Sequence, residues 1–329
     1  MRKIFLSIAV IFTLVQIAST QQTQAFRDPS PHKSNFIHVN GIRLHYLDWG
    51  GSGTPLILIH GIGDNAHIFD DLAPLLSDQF RVLAYSRRGH GHSDAPTGPY
   101  DLSTLVEDLK QFMDSLKVEK AHLLGWSMGG NEITQFAGRF PERVHKLVYL
   151  DSGYDWTDPN FWKSFGEILG SNVPNESTLS SLNLYRSWYR AFWFGNIPWT
   201  SGLESYLRDG TRISNDGKVQ PIPVDKVFEP LFASLATPPR NYSKVRAPAI
   251  ALYAVTFFPN EHKDPSIASQ FNEFEQRVMV PFRRVSKERV KKELQNVIVK
   301  EIPETSHMSI GVYKTDSLAS TIREFLRKD

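Results

Sequence analysis

Cysteine is absent from all 329 residues. That excludes disulfides, a thiolate nucleophile, cysteine-ligated zinc and attachment of a lipid to an N-terminal cysteine. Excess charge is missing too: Lys and Arg number 37 against 35 Asp and Glu, a net charge of +2. Residues 1–25 hold Arg2 and Lys3 and no acid, so their removal leaves a neutral chain. Neutrality gives no electrostatic basis for binding nucleic acid or an anionic membrane. The N-terminal apolar run, Ile4 to Ala18, is broken by Ser7, Thr13 and Gln16 and falls short of the roughly 20 residues that span a bilayer. Two basic residues before it, and Ala18, Ser19, Thr20 and Ala25 as cleavage candidates, make residues 1–25 read as a signal peptide. The expectation is an exported chain, periplasmic or secreted, with no membrane anchor after cleavage.

What is present is a large core: 41% of the residues are hydrophobic. "NFIHVNGIRLHYLDWGG" has two alternating runs around Asn40-Gly41, the dipeptide that most favours a two-residue hairpin turn. "TPLILIHG", "FRVLAYSRRG", "KAHLLGWS" and "VHKLVYLDSG" are short runs apolar on both faces, as strands buried in a parallel sheet are. Helical spacing separates them. Leu72, Leu75 and Leu76 mark a first helix; Leu105, Leu109, Phe112 and Leu116 a second, with a capping box over Thr104 to Glu107; Ile133, Phe136 and Ala137 a third, ended by Pro141. This alternation predicts an α/β class with a mostly parallel sheet, an N-terminal β-hairpin and helices on both faces.

From Tyr154 the pattern breaks for about 85 residues crowded with aromatic rings, among them Trp156, Phe161, Trp162, Phe165 and Trp193. Strand patterning resumes at "PAIALYAV" and, after a charged helical stretch from about Pro265 to Leu294, at "NVIVKEI". The ring-rich segment therefore reads as a helical insertion, with "SNDGK" and "PIPVDK" as loops. The expected division is core over 26–153, cap over 154–240 and core again over 241–329.

Gly125, Ser127 and Gly129 form G-x-S-x-G directly after an apolar strand and before a helical stretch. A strand that turns sharply into a helix around one serine needs glycine two positions either side. That turn projects the Oγ above the sheet edge, with the helix N-terminus aimed at it. Chance supplies the pattern in roughly one chain in ten of this length, so its weight comes from context. "HGIGDN" follows the first parallel strand, where a backbone N–H from His60, Gly61 or Ile62 can meet that of Met128 at the serine and form an oxyanion hole. His60 itself reads as a brace for this loop. His307, in "IPETSHMSI", follows the last strand and reaches the same sheet edge; His90 and His92 read as loop residues and His122 as part of a strand.

These elements and motifs resemble the α/β-hydrolase family from about Phe36 to Leu326, in the order "LILIHGIGDN", "YSRRGHGHSD", "LLGWSMGG" and "ETSHMSI". The resemblance implies Ser127 as nucleophile, His307 as general base and then acid, Ile62 and Met128 as oxyanion donors, and the ring-rich insert as a cap. It implies no metal and no organic cofactor. Ser86 departs from the pattern, since many relatives carry an acid there.

The third triad member is open. The family's usual carboxylate follows the strand "IALYAV", and the position here is Phe257, with Glu261 and Asp264 further on. The family's other location, the end of the preceding strand, holds Asp151, with Asp155 close behind. The expected activity is hydrolysis of a small or medium carboxylic ester or lactone. The alternatives are an amidase, aminopeptidase or carbon-carbon hydrolase using the same pair, or a weakly catalytic ligand-binding protein of the same fold. For an aminopeptidase, Glu167, Glu176 and Glu204 of the cap are the carboxylates available to hold an amine.

Overall fold

A computed structural model describes residues 26–223, 225–235 and 242–328; the signal-peptide reading lies outside the described residues. β1 (Lys33–Val39) and β2 (Ile42–Gly50) pair antiparallel across Asn40 and Gly41, both at positive φ (48° and 76°) as a type I′ turn requires. Then come β3 (Pro55–Ile59), β4 (Arg81–Tyr85), α1 (Leu102–Ser115), β5 (Ala121–Trp126), α2 (Gly129–Arg139) and β6 (Val144–Leu150). The next stretch holds α3 (Pro159–Ser171), α4 (Glu176–Leu179), α5 (Leu182–Tyr189), α6 (Ser201–Asp209), a small hairpin of β7 (Thr211–Ile213) and β8 (Val219–Pro221), and α7 (Asp225–Leu235). β9 (Ala249–Thr256), α8 (Pro265–Phe274), α9 (Val280–Glu293), β10 (Val297–Ser306) and α10 (Thr315–Arg327) complete the chain.

The main sheet has eight strands in the order β1-β2-β4-β3-β5-β6-β9-β10, parallel from β4 to β10. Alternation along β3 shows why it is covered twice. Ile57 and Ile59 pack with α1 and α2 on one face, while Leu56 and Leu58 pack with α10 and the Ala66–Phe69 turn on the other. All parallel strands consequently end on one edge, and β6 and β9 are neighbours there although the whole α3 to α7 segment lies between them in sequence.

Four sequence expectations are corrected. Leu72, Leu75 and Leu76 belong to no α-helix; the segment makes short 3-10 turns at Ala66–Phe69 and Ala73–Leu75, because Pro74 supplies no N–H to continue a helix. α1 is capped by Asp101, whose carboxylate accepts from the Thr104 N–H at 3.1 Å, so the helix begins before the Thr104–Glu107 box. The insertion is not wholly helical: "SNDGK" closes the β7–β8 hairpin, and "PIPVDK" runs from the end of β8 into α7. The long charged helix is interrupted by a π-turn at Glu275–Met279. Pro281 follows that turn and lacks the N–H that regular α geometry would use, so the backbone widens ahead of it. Among the described residues no helix is long and apolar enough to cross a membrane.

Candidate active site

β5 delivers Ser127 through a turn that only small residues permit. Ser127 sits at φ +53°, a left-handed conformation rare for a residue with a side chain. A Cβ on Gly125 would lie 2.4 Å from the Gly129 backbone, and one on Gly129 would lie 2.3 Å from the Ile59 carbonyl oxygen. Both glycines are therefore steric necessities of the crossing between β5, α2 and β3. Gly125→Ala is expected to lower unfolding stability by about 3 kcal/mol or more in a denaturant titration, since backbone and not a flexible side chain must yield.

His307 follows β10 directly, which extends past the "NVIVKEI" reading to Ser306 through a register shift. Its N–H donates to the Thr256 carbonyl (2.9 Å), and its own carbonyl accepts from Trp126 Nε1 (3.1 Å). The imidazole Nε2 lies 3.0 Å from Ser127 Oγ and Nδ1 lies 2.5 Å from Asp151 Oδ2. With Nδ1–H donating to the carboxylate, Nε2 is free to accept the serine proton. Asp151 directly follows β6 at φ +40° and is fully buried. Its second oxygen accepts from the Ala254 N–H (2.9 Å) and the Tyr154 hydroxyl (2.7 Å), which fixes the carboxylate plane.

The other acids are engaged elsewhere. Asp264 caps α8, Glu261 accepts from Asn196, and Asp155 pairs with Arg289. Phe257, at the family's usual acid position, stacks flat on His307 with ring centroids 4.5 Å apart. Its N–H is held by the buried Glu275, which is paired with Arg283. The loop after β9 thus supplies a wall for the imidazole in place of a carboxylate.

His60 braces the loop that carries Ile62. Its Nδ1 donates to the Gly61 carbonyl (2.7 Å) and Nε2 accepts from the Arg87 N–H (3.0 Å); complete burial, beside Arg87, holds its pKa well below the ordinary histidine value. The Arg87 guanidinium also reaches the His60 and Gly61 carbonyls and pairs with Glu132. His90, kept neutral by burial with a pKa pushed down to about 3, accepts from the Gly63 N–H. Ser86, where relatives carry an acid, accepts from the Ala66 N–H after the same loop. A Cβ on Gly61 would sit 2.5 Å from Asp64 Oδ2 and 3.1 Å from Ser127 Cβ, so a side chain there would displace the Asp64 carboxylate.

Ser127 and His307 open on a narrow apolar cavity of about 70 Å³, also lined by Ile62, Met128, Phe161 and Trp162. A larger cavity of about 190 Å³ adjoins it, and the two share Ile62, Asp64, Phe165, Trp193, Phe232 and Met308. Among the described residues Asp64 is the one carboxylate in either lining, and it was not singled out by the sequence. It is 5% exposed, accepts from Tyr206 (2.7 Å), and burial raises its pKa to about 6 against the opposing effects of Tyr206, His307 and Arg87. Glu167, Glu176 and Glu204 line neither cavity; Glu204 is bound by Arg186, Arg208 and Trp199.

Residues 54–190 match the family model described as alpha/beta hydrolase fold. An uncharacterised protein of Mycobacterium tuberculosis is 34% identical over 134 residues, 41% of this chain and 39% of that protein. The chain covers about two fifths of the length of the first curated relatives it matches. The solved structure of E-2-(acetamidomethylene)succinate hydrolase superposes with a TM-score of 0.70 over 90% of this chain and all of that one, at 19% identity. The enol-lactonase of Burkholderia xenovorans superposes with a TM-score of 0.62 over 89% of this chain and all of that one, at 20% identity. At these identities the structural likeness is one of fold. Together with the sheet order and the match of residues 54–190, it shows that the chain has the α/β-hydrolase fold.

Proposed function

We propose that the protein is an exported serine hydrolase that cleaves small or medium carboxylic esters or lactones through an acyl-enzyme on Ser127. The observation that carries this reading is the hydrogen-bonded line from Asp151 through His307 to Ser127, ending in an apolar cavity. Ser127 Oγ attacks the carbonyl carbon as His307 Nε2 takes its proton; the resulting oxyanion is held by the N–H groups of Ile62 and Met128. The protonated His307 then donates to the leaving alcohol oxygen as the C–O bond breaks. A water, deprotonated by the same nitrogen, hydrolyses the ester on Ser127. Asp151 keeps Nδ1 protonated and stabilises the imidazolium. The ring-lined segment between β6 and β9 serves as the cap, and its walls favour an apolar acyl group.

The test is a series of p-nitrophenyl esters of increasing chain length, assayed alongside intact-mass labelling with a fluorophosphonate. Ester turnover and a single adduct are expected. A folded protein that neither turns over esters nor takes the label would overturn the reading.

Asp64 supports a second reading within the same chemistry, in which the substrate carries an amine near the scissile bond, as aminoacyl esters and amides do. Above about pH 6 Asp64 is ionised and attracts an ammonium; below it the neutral acid does not. The ratio of kcat/KM for an aminoacyl ester to that for its neutral isostere is therefore expected to rise as pH passes upward through 6. Taking the ratio cancels any pH dependence that both substrates share. In Asp64→Asn the ratio should fall on the order of 100-fold and become flat with pH. An unchanged ratio would remove the amine from the substrate class.

A further inference from the structure

Away from Ser127, two imidazoles and two carboxylates converge beside the Ala66–Phe69 turn. Asp28 and His32 come from the irregular segment before β1; His67 and Asp70 come from the turn and its end. His32 Nε2 lies 3.0 Å from Asp28 Oδ2 and 3.5 Å from Asp70 Oδ1. His67 Nδ1 lies 3.3 Å from Asp28 Oδ2 and 2.8 Å from Asp70 Oδ2. One donor atom from each of the four residues falls within 4.8 Å of all the others.

Hydrogen bonding explains half of this arrangement: His32 Nε2 bonds Asp28 and His67 Nδ1 bonds Asp70. Each nitrogen carries at most one proton, so the second approach of each, to the other carboxylate, needs another cause. Metal coordination explains it directly. Zinc bound to nitrogen and oxygen at about 2.0–2.1 Å places tetrahedral donors about 3.3 Å apart, and with Asp70 Oδ2 as the fourth donor three edges of the set measure 2.8, 3.0 and 3.3 Å. Charge agrees as well. The ion pairs of Asp28 and Asp70 among the described residues are all with these two histidines, so a dication with neutral imidazoles balances both carboxylates. The supporting contacts are of the kind that orient ligands: Ser30 Oγ donates to Asp70, the Ser30 N–H donates to Asp28, and Trp49 presents its ring edge-on to His32.

We propose that Asp28, His32, His67 and Asp70 form a structural divalent-cation site whose ion is zinc. Two nitrogens and two carboxylate oxygens suit zinc over calcium or magnesium, which take oxygen ligands. The site is separate from the chemistry at Ser127. It clips the segment before β1 onto the turn that begins at Asn65, the end of the loop that carries His60 to Ile62. The ion thereby stiffens that loop from behind.

The experiment uses the protein without a polyhistidine tag, stripped with EDTA, dialysed against zinc chloride and measured by elemental mass spectrometry and thermal unfolding. About one zinc per chain is expected, with the unfolding midpoint on the order of 5 °C above the stripped form. Asp28→Asn and His32→Gln lie outside the core and should fold, which fluorophosphonate labelling or circular dichroism verifies. Each should weaken zinc binding at least about 100-fold. No retained zinc and no shift in midpoint would overturn the proposal. So would zinc that survives in His32→Gln but is lost in His92→Gln, because that ion would belong to the neighbouring trio His45, His92 and Asp209.

Discussion

Ser127→Ala is expected to abolish the fluorophosphonate adduct and to lower ester kcat by roughly 10⁶-fold, the scale on which removal of a triad nucleophile acts. Among the described residues the apolar cavity holds no substitute hydroxyl: beside Ser127, its titratable lining is Asp64 and His307. A carboxylate at Asp64 is held by Tyr206 and has no partnered base. What remains should be the acceleration supplied by substrate binding and the Ile62 and Met128 N–H groups alone. The substitution deletes one buried oxygen and leaves the left-handed turn, whose shape is dictated by Gly125 and Gly129, so the unfolding midpoint should scarcely move. Intact mass and burst-phase kinetics read both effects. An adduct that persists on the alanine variant would show that the probe reports another residue. If the folded wild type takes no label, the chain is a ligand-binding protein that keeps the fold without the turnover.

The sequence displayed those features whose causes are local. Asn40-Gly41 dictates its turn through two positive φ angles, and the runs that became β3, β4, β5, β6 and β9 are apolar on both faces because helices cover both. The serine turn was readable for the same reason: its glycines are required within five residues of one another. Expectations failed where the deciding partner is distant or the element is short. The leucines at 72, 75 and 76 have helical spacing, yet Pro74 limits them to 3-10 turns. β7 and β8 have three residues each, too few for an alternation to show. Asp64 stood in the quoted "HGIGDN", but its place in the cavity depends on Tyr206, which lies 142 positions along the chain. Asp28, His32, His67 and Asp70 are likewise two pairs separated by the whole of β1 to β3. Asp151 was visible as one choice among several; its contact with His307 Nδ1, the stacking of Phe257 on that ring and the engagement of Glu261, Asp264 and Asp155 elsewhere separate it from the rest.

Asp151→Asn should lower kcat on the order of 10⁴-fold with little change in KM, the effect this substitution has in a serine-protease triad. The surroundings of Asp151 predict which way the new amide will turn. The Ala254 N–H and the Tyr154 hydroxyl both donate to Oδ1, and both are buried, so an asparagine would keep its carbonyl oxygen facing them and turn its NH₂ toward His307. An NH₂ opposite Nδ1 can be satisfied only if Nδ1 is the unprotonated nitrogen, which places the proton on Nε2, facing Ser127. In that tautomer His307 cannot accept the serine proton, although every heavy atom stays near its original position. Fluorophosphonate labelling should slow in parallel with turnover, while the unfolding midpoint changes little. Tyr154→Phe offers the contrast. It removes one donor to Asp151 and leaves the Ala254 N–H and the carboxylate charge, so the correct tautomer persists and the loss should be at most about tenfold. If Asp151→Asn retains turnover within about tenfold of wild type, the tautomer of His307 is set by something other than Asp151. Asparagine and phenylalanine variants with equal losses would instead mean that Asp151 acts by packing rather than by holding a proton on Nδ1.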